Sequence, residues 1–212
     1  MKVLEVFDKY VNRYEAWFLK HPAVFTSEVE AIRLALPEGN IQGIEVGLAT
    51  GKFSEKLKIA EGVEPSYQMR QKAIQRGIHV FDAIAHRLPF KDMRYDFVLM
   101  VNCIIYFDQM LPAFMEAKRI LKKNGSLIVS FIDKDSVIGK KYEAEKNNNV
   151  FYKHAQFYSV SQVKSTIEKA GFSNLSVSQT LFGQLNEIKS FQPSIPGHGK
   201  GSFVVIQALL NS

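Results

Sequence analysis

Cysteine is nearly absent: Cys103 is the single one among 212 residues. The chain therefore closes no internal disulfide, carries no CxxC redox pair and cannot assemble a multi-cysteine zinc site. Long apolar runs are missing as well. Stretches such as residues 97–101 fall far short of the roughly 20 residues that cross a bilayer, so no membrane span is expected. Residues 1–9 carry charges in their first turns and lack the apolar segment of a secretory signal, which makes a cytoplasmic protein the expectation. No internal repeat or low-complexity tract is visible, since Asn147-Asn148-Asn149 is too short to count. Nor is charge of one sign gathered in a block. Lys plus Arg is 27 and Asp plus Glu 21, a net charge of +6 spread along the chain, which describes a solvated basic surface before a nucleic-acid footprint.

Hydrophobic residues make up 46% and charged residues 23%, the composition of an ordinary globular protein. The length suits one domain over residues 1–212. Val3, Phe7, Val11, Tyr14 and Phe18 recur at steps of three and four and predict one face of a helix, broken by His21-Pro22. A second helix is predicted from Ser27, which has a capping-box spacing to Glu30. From residue 41 short apolar strands alternate with helices, the pattern of βα units on a largely parallel sheet. Strands are predicted at 41–46, 62–64, 79–82, 95–102 and 126–132, and helices at 53–59, 67–76 and 109–121. Asp108 is the predicted N-cap of the last of these, and Asn124-Gly125 its end. A further helix at 160–170 carries the Ser159/Gln162 capping pair, and strands at 174–181 and 202–209 follow. A loop alone joins those two strands, so they are expected to be antiparallel. The fold class is thus α/β: seven strands, mostly parallel, with one antiparallel strand near the C-terminus, helices on both faces and an N-terminal helical cap.

Open α/β sheets bind ligands at the carboxyl ends of their strands. The first such loop is Glu45-Val46-Gly47-Leu48-Ala49-Thr50-Gly51-Lys52, whose small residues at 47, 49 and 51 permit close approach to the backbone. A GxGxxG dinucleotide fingerprint would need glycines at 47, 49 and 52, where positions 49 and 52 hold Ala and Lys. That departure argues for a ligand without a pyrophosphate. Glu64, at the end of the second strand, is placed to accept hydrogen bonds from both hydroxyls of a ribose.

The series Glu45-x-Gly47-x-Ala49-x-Gly51, Glu64, Leu88-Pro89-Phe90, Tyr95-Asp96-Phe97-Val98 and Arg119-Ile120-Leu121-Lys122-Lys123-Asn124-Gly125 resembles class I S-adenosylmethionine (SAM)-dependent methyltransferases. The match is to the type 11, small-molecule branch that includes the ubiquinone and menaquinone methylases. It implies a Rossmann-like fold divided into a cap (1–40), a cofactor-binding half (41–132) and a substrate lid with the C-terminal strands (133–212). It also implies that Gly47 and the backbone of Leu48, Ala49 and Gly51 cradle the methionine part of the cofactor, with Glu45 near its ammonium. Glu64 would hold the ribose and Pro65 pack near the adenine. Ile84-Ala85 stands where the family often has an acidic residue followed by Ala, which leaves backbone contacts to the adenine edge. Val101 and Asn102 would border the transferable methyl group.

Several acceptor classes lack their motif. The chain has Asn102-Cys103-Ile104-Ile105 where base N-methylation uses Asn/Asp-Pro-Pro-aromatic. Cys103 has no neighbouring proline and reads as a buried strand-end residue rather than a nucleophile. Paired glutamates for arginine methylation are absent, position 102 is an amide rather than a metal-binding carboxylate, and no metal is expected. A small-molecule acceptor remains, and nucleic acid and membrane are not expected partners. The competing readings are a non-catalytic cofactor-binding module that docks a partner, a Rossmann oxidoreductase and an RNA methyltransferase. Residues 133–158 form a loop long enough for a lid, rich in aromatics from Phe151 to Tyr158. Tyr152 and His154 are its candidate catalytic residues, His154 as a general base toward an amine or hydroxyl. Tyr14, Trp17 and Phe18 are expected to cover the same pocket. The stretch from Pro193 to Gly201 is expected to be a flexible connector.

Overall fold

The computed structural model describes residues 3–210. Met1 and Lys2, part of the signal-free N-terminal reading, lie outside the described residues. Three helices open the chain: α1 (Val3–Lys9), α2 (Val11–Lys20) and α3 (Pro22–Arg33). The single predicted helix is interrupted at Tyr10, whose φ of −111° and ψ of 24° turn the chain between α1 and α2. Pro22 has no N–H to donate, so it ends α2 and starts α3, where no donor is needed. The predicted start at Ser27 is therefore corrected. Ser27 lies buried inside α3, donating its hydroxyl to the Ala23 carbonyl at 2.8 Å and accepting the Gln192 N–H at 2.9 Å. Glu30 pairs with Arg33 instead of closing a capping box.

The alternating part follows as β1 (Gly43–Val46), α4 (Lys52–Leu57), β2 (Glu61–Val63), α5 (Tyr67–Gln75), β3 (His79–Phe81), β4 (Tyr95–Val101), α6 (Met110–Ile120) and β5 (Leu121–Ile132). Then come α7 (Val137–Glu145), α8 (Val160–Lys169), β6 (Phe172–Thr180), β7 (Ile195–Pro196) and β8 (Phe203–Leu210). The sheet order is β3-β2-β1-β4-β5-β8-β6-β7. β1 to β5 pair in parallel, and β8 runs antiparallel between β5 and β6, as expected. Beyond the seven expected strands, the two-residue β7 adds an antiparallel edge to β6. It lies in the stretch expected to be a flexible connector, which is held in place because the Gln179 Oε1 accepts the N–H groups of Lys200 and Gly201, each at 2.7 Å.

Two boundaries differ from the prediction. Gln109 rather than Asp108 is the N-cap of α6, and it makes no side-chain cap bond. Asn124-Gly125 lies within β5 rather than ending a helix: Tyr95 faces Leu121 while Phe97 faces Ser126, so the intervening residues bulge, with Asn124 at φ +61°. The Ser159/Gln162 capping box of α8 forms as predicted.

Strand residues alternate between two apolar layers, because successive side chains of a strand point to opposite faces. Val98, Met100, Leu127, Val129, Val204 and Ile206 pack with α6 and α8 through Phe114, Ala117, Val163 and Ile167. Phe97, Leu99, Val101, Ile128 and Val205 meet Phe18, Val24, Val29 and Ile32 of the N-terminal helices on the other face. This second layer brings α2 and α3 against the sheet beside the carboxyl end of β4.

Candidate active site

β1 and β2 end side by side, and the loop after β1 is fastened to its neighbour at once: the Gly47 N–H donates to the Val63 carbonyl at 2.8 Å. Gly47, Ala49 and Gly51 all have positive φ, +75°, +50° and +77°. A Cβ on Gly47 would lie 2.7 Å from the Cys103 Cβ, so glycine is required there by contact as well as by backbone angle. Ala49 tolerates a left-handed angle that costs roughly 1–2 kcal/mol in a residue with a Cβ. Its N–H is offset by an acceptor, the Glu64 Oε2 at 2.8 Å.

Glu64 follows β2 directly, and its Oε1 accepts the Ser66 N–H at 2.8 Å. Burial pushes this carboxyl up to about 7, against the two N–H bonds and the nearby Arg70, which favour the charged form. Asp8 of α1 then reaches over the same corner. Its Oδ1 accepts the Ser66 hydroxyl at 2.7 Å and the Gln68 N–H at 2.9 Å, so α1 is tied to the first turn of α5.

These groups wall one end of a cavity of about 720 Å³, inside the range of about 300–1,000 Å³ common for small-molecule sites. Gly47, Ala49, Glu64, Pro65, Ile84, Ala85, Val101 and Asn102 line it, all residues singled out from the sequence. Glu45, Leu48 and Gly51 are not among the lining residues. The Glu45 carboxylate lies beneath the loop and accepts the Ser54 hydroxyl; burial pushes it up to about 8. The Leu48 side chain packs with Ala73 and Ile78, and Gly51 lies so close to Ile78 that a Cβ would come within 2.5 Å of it.

Asn102, at φ +52°, ends β4 with its N–H on the Ser130 carbonyl. Cys103 beside it is buried and donates its thiol to the Val46 carbonyl at 3.2 Å. Burial raises that thiol far above its ordinary value, which leaves little thiolate and fits the non-nucleophilic reading.

Aromatic side chains enclose the other end. Phe7 of α1 packs against Tyr106 and Phe151 at ring separations of 5.1 and 5.5 Å. Tyr142 and Tyr152 stack at 4.7 Å. Tyr14, Trp17 and Phe18 line the cavity as expected, and so does Tyr152. His154 does not. The turn in which Lys153 N–H bonds to the Asn149 carbonyl and Ala155 N–H to that of Tyr152 sends Ala155 and Phe157 inward and leaves His154 exposed. Absent from the sequence reading is Glu28, which lines the cavity at 3% exposure. A signal was present: Val24, Glu28 and Ile32 follow one another at four-residue steps, so a carboxylate stands in an apolar stripe.

An open α/β sheet with a fastened loop after β1, a carboxylate after β2 and a chamber over β4 defines an enzyme that holds a nucleoside-bearing cofactor at its strand ends. Residues 44–129 match the family described as methyltransferase domain. A SAM-dependent methyltransferase of Thermotoga maritima, described as a possible histamine N-methyltransferase, superposes with a TM-score of 0.95 at 43% identity, over 98% of this chain and 99% of that one. An uncharacterised protein of Methanocaldococcus jannaschii is 37% identical over 205 residues, 97% of this chain and 98% of its own. A methyltransferase of Haloferax volcanii, seen in complex with the Trm112 methyltransferase activator, shares the fold with a TM-score of 0.72 at 14% identity, over 97% and 98% of the two chains. The chain belongs to the class I SAM-dependent methyltransferases, and its cofactor is S-adenosylmethionine.

Proposed function

We propose that the protein transfers the methyl group of SAM to a nucleophile on a small molecule held in the aromatic end of the cavity. The observation that carries this reading is the continuity of the cavity: its strand-end wall is backbone and carboxylate, its far wall is aromatic, and α1, α2 and the 142–157 segment close over both. A chamber enclosed in this way suits a compact acceptor rather than a polymer. The description of the Thermotoga maritima relative favours an amine as the first class of acceptor to test.

The wall fits the cofactor. Each Glu64 oxygen already accepts one N–H and retains a lone pair for a ribose hydroxyl. Gly47 and Ala49 present bare backbone to the methionine part, and Pro65, Ile84 and Ala85 flank the adenine. Glu45 lies below the loop with its carboxyl raised to about 8, and the cofactor's ammonium favours its ionised form. Val101 and Asn102 border the methyl group. When bound, the sulfonium supplies an already activated methyl group. The chain's contribution is then alignment of the acceptor and exclusion of water, with Tyr152 in the acceptor wall and no base assigned to the exposed His154.

Calorimetric titration with SAM and with its demethylated product is expected to give binding of both. Incubation with methyl-labelled SAM and a metabolite pool is expected to label a small molecule and leave undermethylated bulk RNA unlabelled. Robust RNA labelling at physiological salt would replace the small-molecule reading, with the aromatic segment recast as a base-stacking platform.

A further inference from the structure

Glu28 is a buried acid without a partner. It is 3% exposed, lines the cavity, and among the described residues makes no ion pair and no hydrogen bond. The neighbouring buried carboxylates are both provided for, Glu64 by the N–H groups of Ala49 and Ser66 and Glu45 by the Ser54 hydroxyl. An ionised carboxylate withdrawn from water with no donor is costly, so without a partner this group is held neutral, and a cation that arrives from outside the chain favours its ionised form. Burial alone pushes this carboxyl up to about 8. The groups facing it are Tyr14 on α2, Tyr142 on α7 and Tyr152 on the following turn, each of which feels its charge. None of them is a cation. Among the described residues the basic side chains lining the cavity are Arg13 and His86, both exposed at its edge.

We propose that Glu28 is the anchor of the acceptor site and that the acceptor is a small organic cation: a protonated amine that pairs with Glu28, on an apolar or aromatic body that carries a separate, unprotonated nucleophile for the methyl group. This rests on the reading of the aromatic chamber as the acceptor site. The Glu28 carboxylate supplies the counter-charge. The tyrosine faces around it attract a cation through their ring quadrupoles, and the aromatic lining of the cavity covers the apolar body. An anionic acceptor would meet Glu28 and Glu64 with no inward cation among the described residues to offset them. Position 28, rather than any residue of the cofactor wall, then determines which molecules the enzyme accepts.

The test uses protein saturated with the demethylated cofactor and two probes of matched shape, 2-phenylethylamine and 2-phenylethanol, compared by calorimetry. Wild-type protein is expected to bind the amine at least tenfold more tightly than the alcohol. Glu28→Gln, which keeps the shape and removes the charge, is expected to erase that preference while leaving affinity for the demethylated cofactor unchanged. Equal binding of amine and alcohol by wild-type protein overturns the proposal without recourse to the variant, as does failure of both probes to bind cofactor-loaded protein. Retention of the preference in Glu28→Gln overturns it too. If the demethylated cofactor itself does not bind, the underlying reading of the cavity fails instead, so the two failures are told apart.

Discussion

The Glu64 carboxylate and the Ala49 N–H, 2.8 Å apart, join the ends of two parallel strands. Ala49 sits at φ +50°, an angle its Cβ resists, and the bond to Glu64 is what the loop gains by adopting it. The same carboxylate faces the cavity, so the residue that shapes the loop is also the one proposed to meet the cofactor's hydroxyls.

Glu64→Ala is therefore expected to weaken SAM binding at least tenfold by calorimetry. Charge-assisted hydrogen bonds contribute roughly 1.5–3 kcal/mol each, part of which water restores to the ribose. Glu45→Gln is expected to cost less, because that carboxylate is turned to Ser54 and does not line the cavity. An unchanged dissociation constant for Glu64→Ala would contradict the assignment of the ribose site.

Gly47→Ala places a Cβ 2.7 Å from that of Cys103 in a backbone with φ +75°. The angle alone costs roughly 1–2 kcal/mol. The expected outcome is an unfolding free energy lower by about that amount together with weaker cofactor binding, since the loop must move away from Cys103. A variant as stable as wild type, with equal affinity, would show that the loop has room the structure does not give it.

Asp8→Ala removes the acceptor shared by the Ser66 hydroxyl and the Gln68 N–H. Losses of this helix-capping kind cost roughly 0.5–2 kcal/mol. Because α1 carries Phe7 over the cavity, faster release of the demethylated cofactor in stopped-flow is expected along with the loss of stability. Unaltered release would separate α1 from the closure of the site.

The ligand-free protein is expected to lose stability as pH rises. Glu28 and Glu45 are raised from 4.5 to about 8 and Glu64 to about 7, in each case chiefly by burial. A carboxyl raised in the folded state contributes stability that is complete below its ordinary value and is lost as pH climbs through the folded one, at about 1.4 kcal/mol per unit of separation. Asp133, also raised by burial, adds to the fall, whereas the lowered Glu15, Asp96 and Glu116 act below this window and His21, lowered by burial, is the imidazole that opposes it. Thermal melts are expected to show a falling Tm between pH 5.5 and 8.5, with a shallower fall in Glu28→Gln. A Tm that climbs across that window would sink the argument.

Much of the fold follows from local pattern. Residues 97–101 are apolar throughout, and 126–132 are apolar apart from Ser126 and Ser130, because both runs are buried on both faces of a sheet, which identifies central strands without any knowledge of their neighbours. The small residues at 47, 49 and 51 and the acid at 64 mark the cofactor end for an equally local reason: a strand-to-helix turn with positive φ needs residues that tolerate it. The helix starts at the N-terminus were harder to place. Ser27 and Glu30 have capping-box spacing, yet Pro22 begins the helix five residues earlier, and the Ser27 hydroxyl serves Gln192 from the far end of the chain.

The acceptor end is where tertiary structure decides. A glutamate on a helix reads as solvent-facing, and Glu28 turns inward because α3 lies against β6 and β8 of the sheet, with Val24 and Ile32 on either side of it. His154 and Tyr152 stand two residues apart in one aromatic run, and a single turn puts the tyrosine in the chamber and the histidine in solvent. Sequence determines the loop proposed to meet the cofactor, because its constraint lies in the backbone angles of a few consecutive residues. The cavity as a whole draws on residues from 3 to 185, and the charge and shape of its proposed acceptor end arise from which faces of distant helices are buried together.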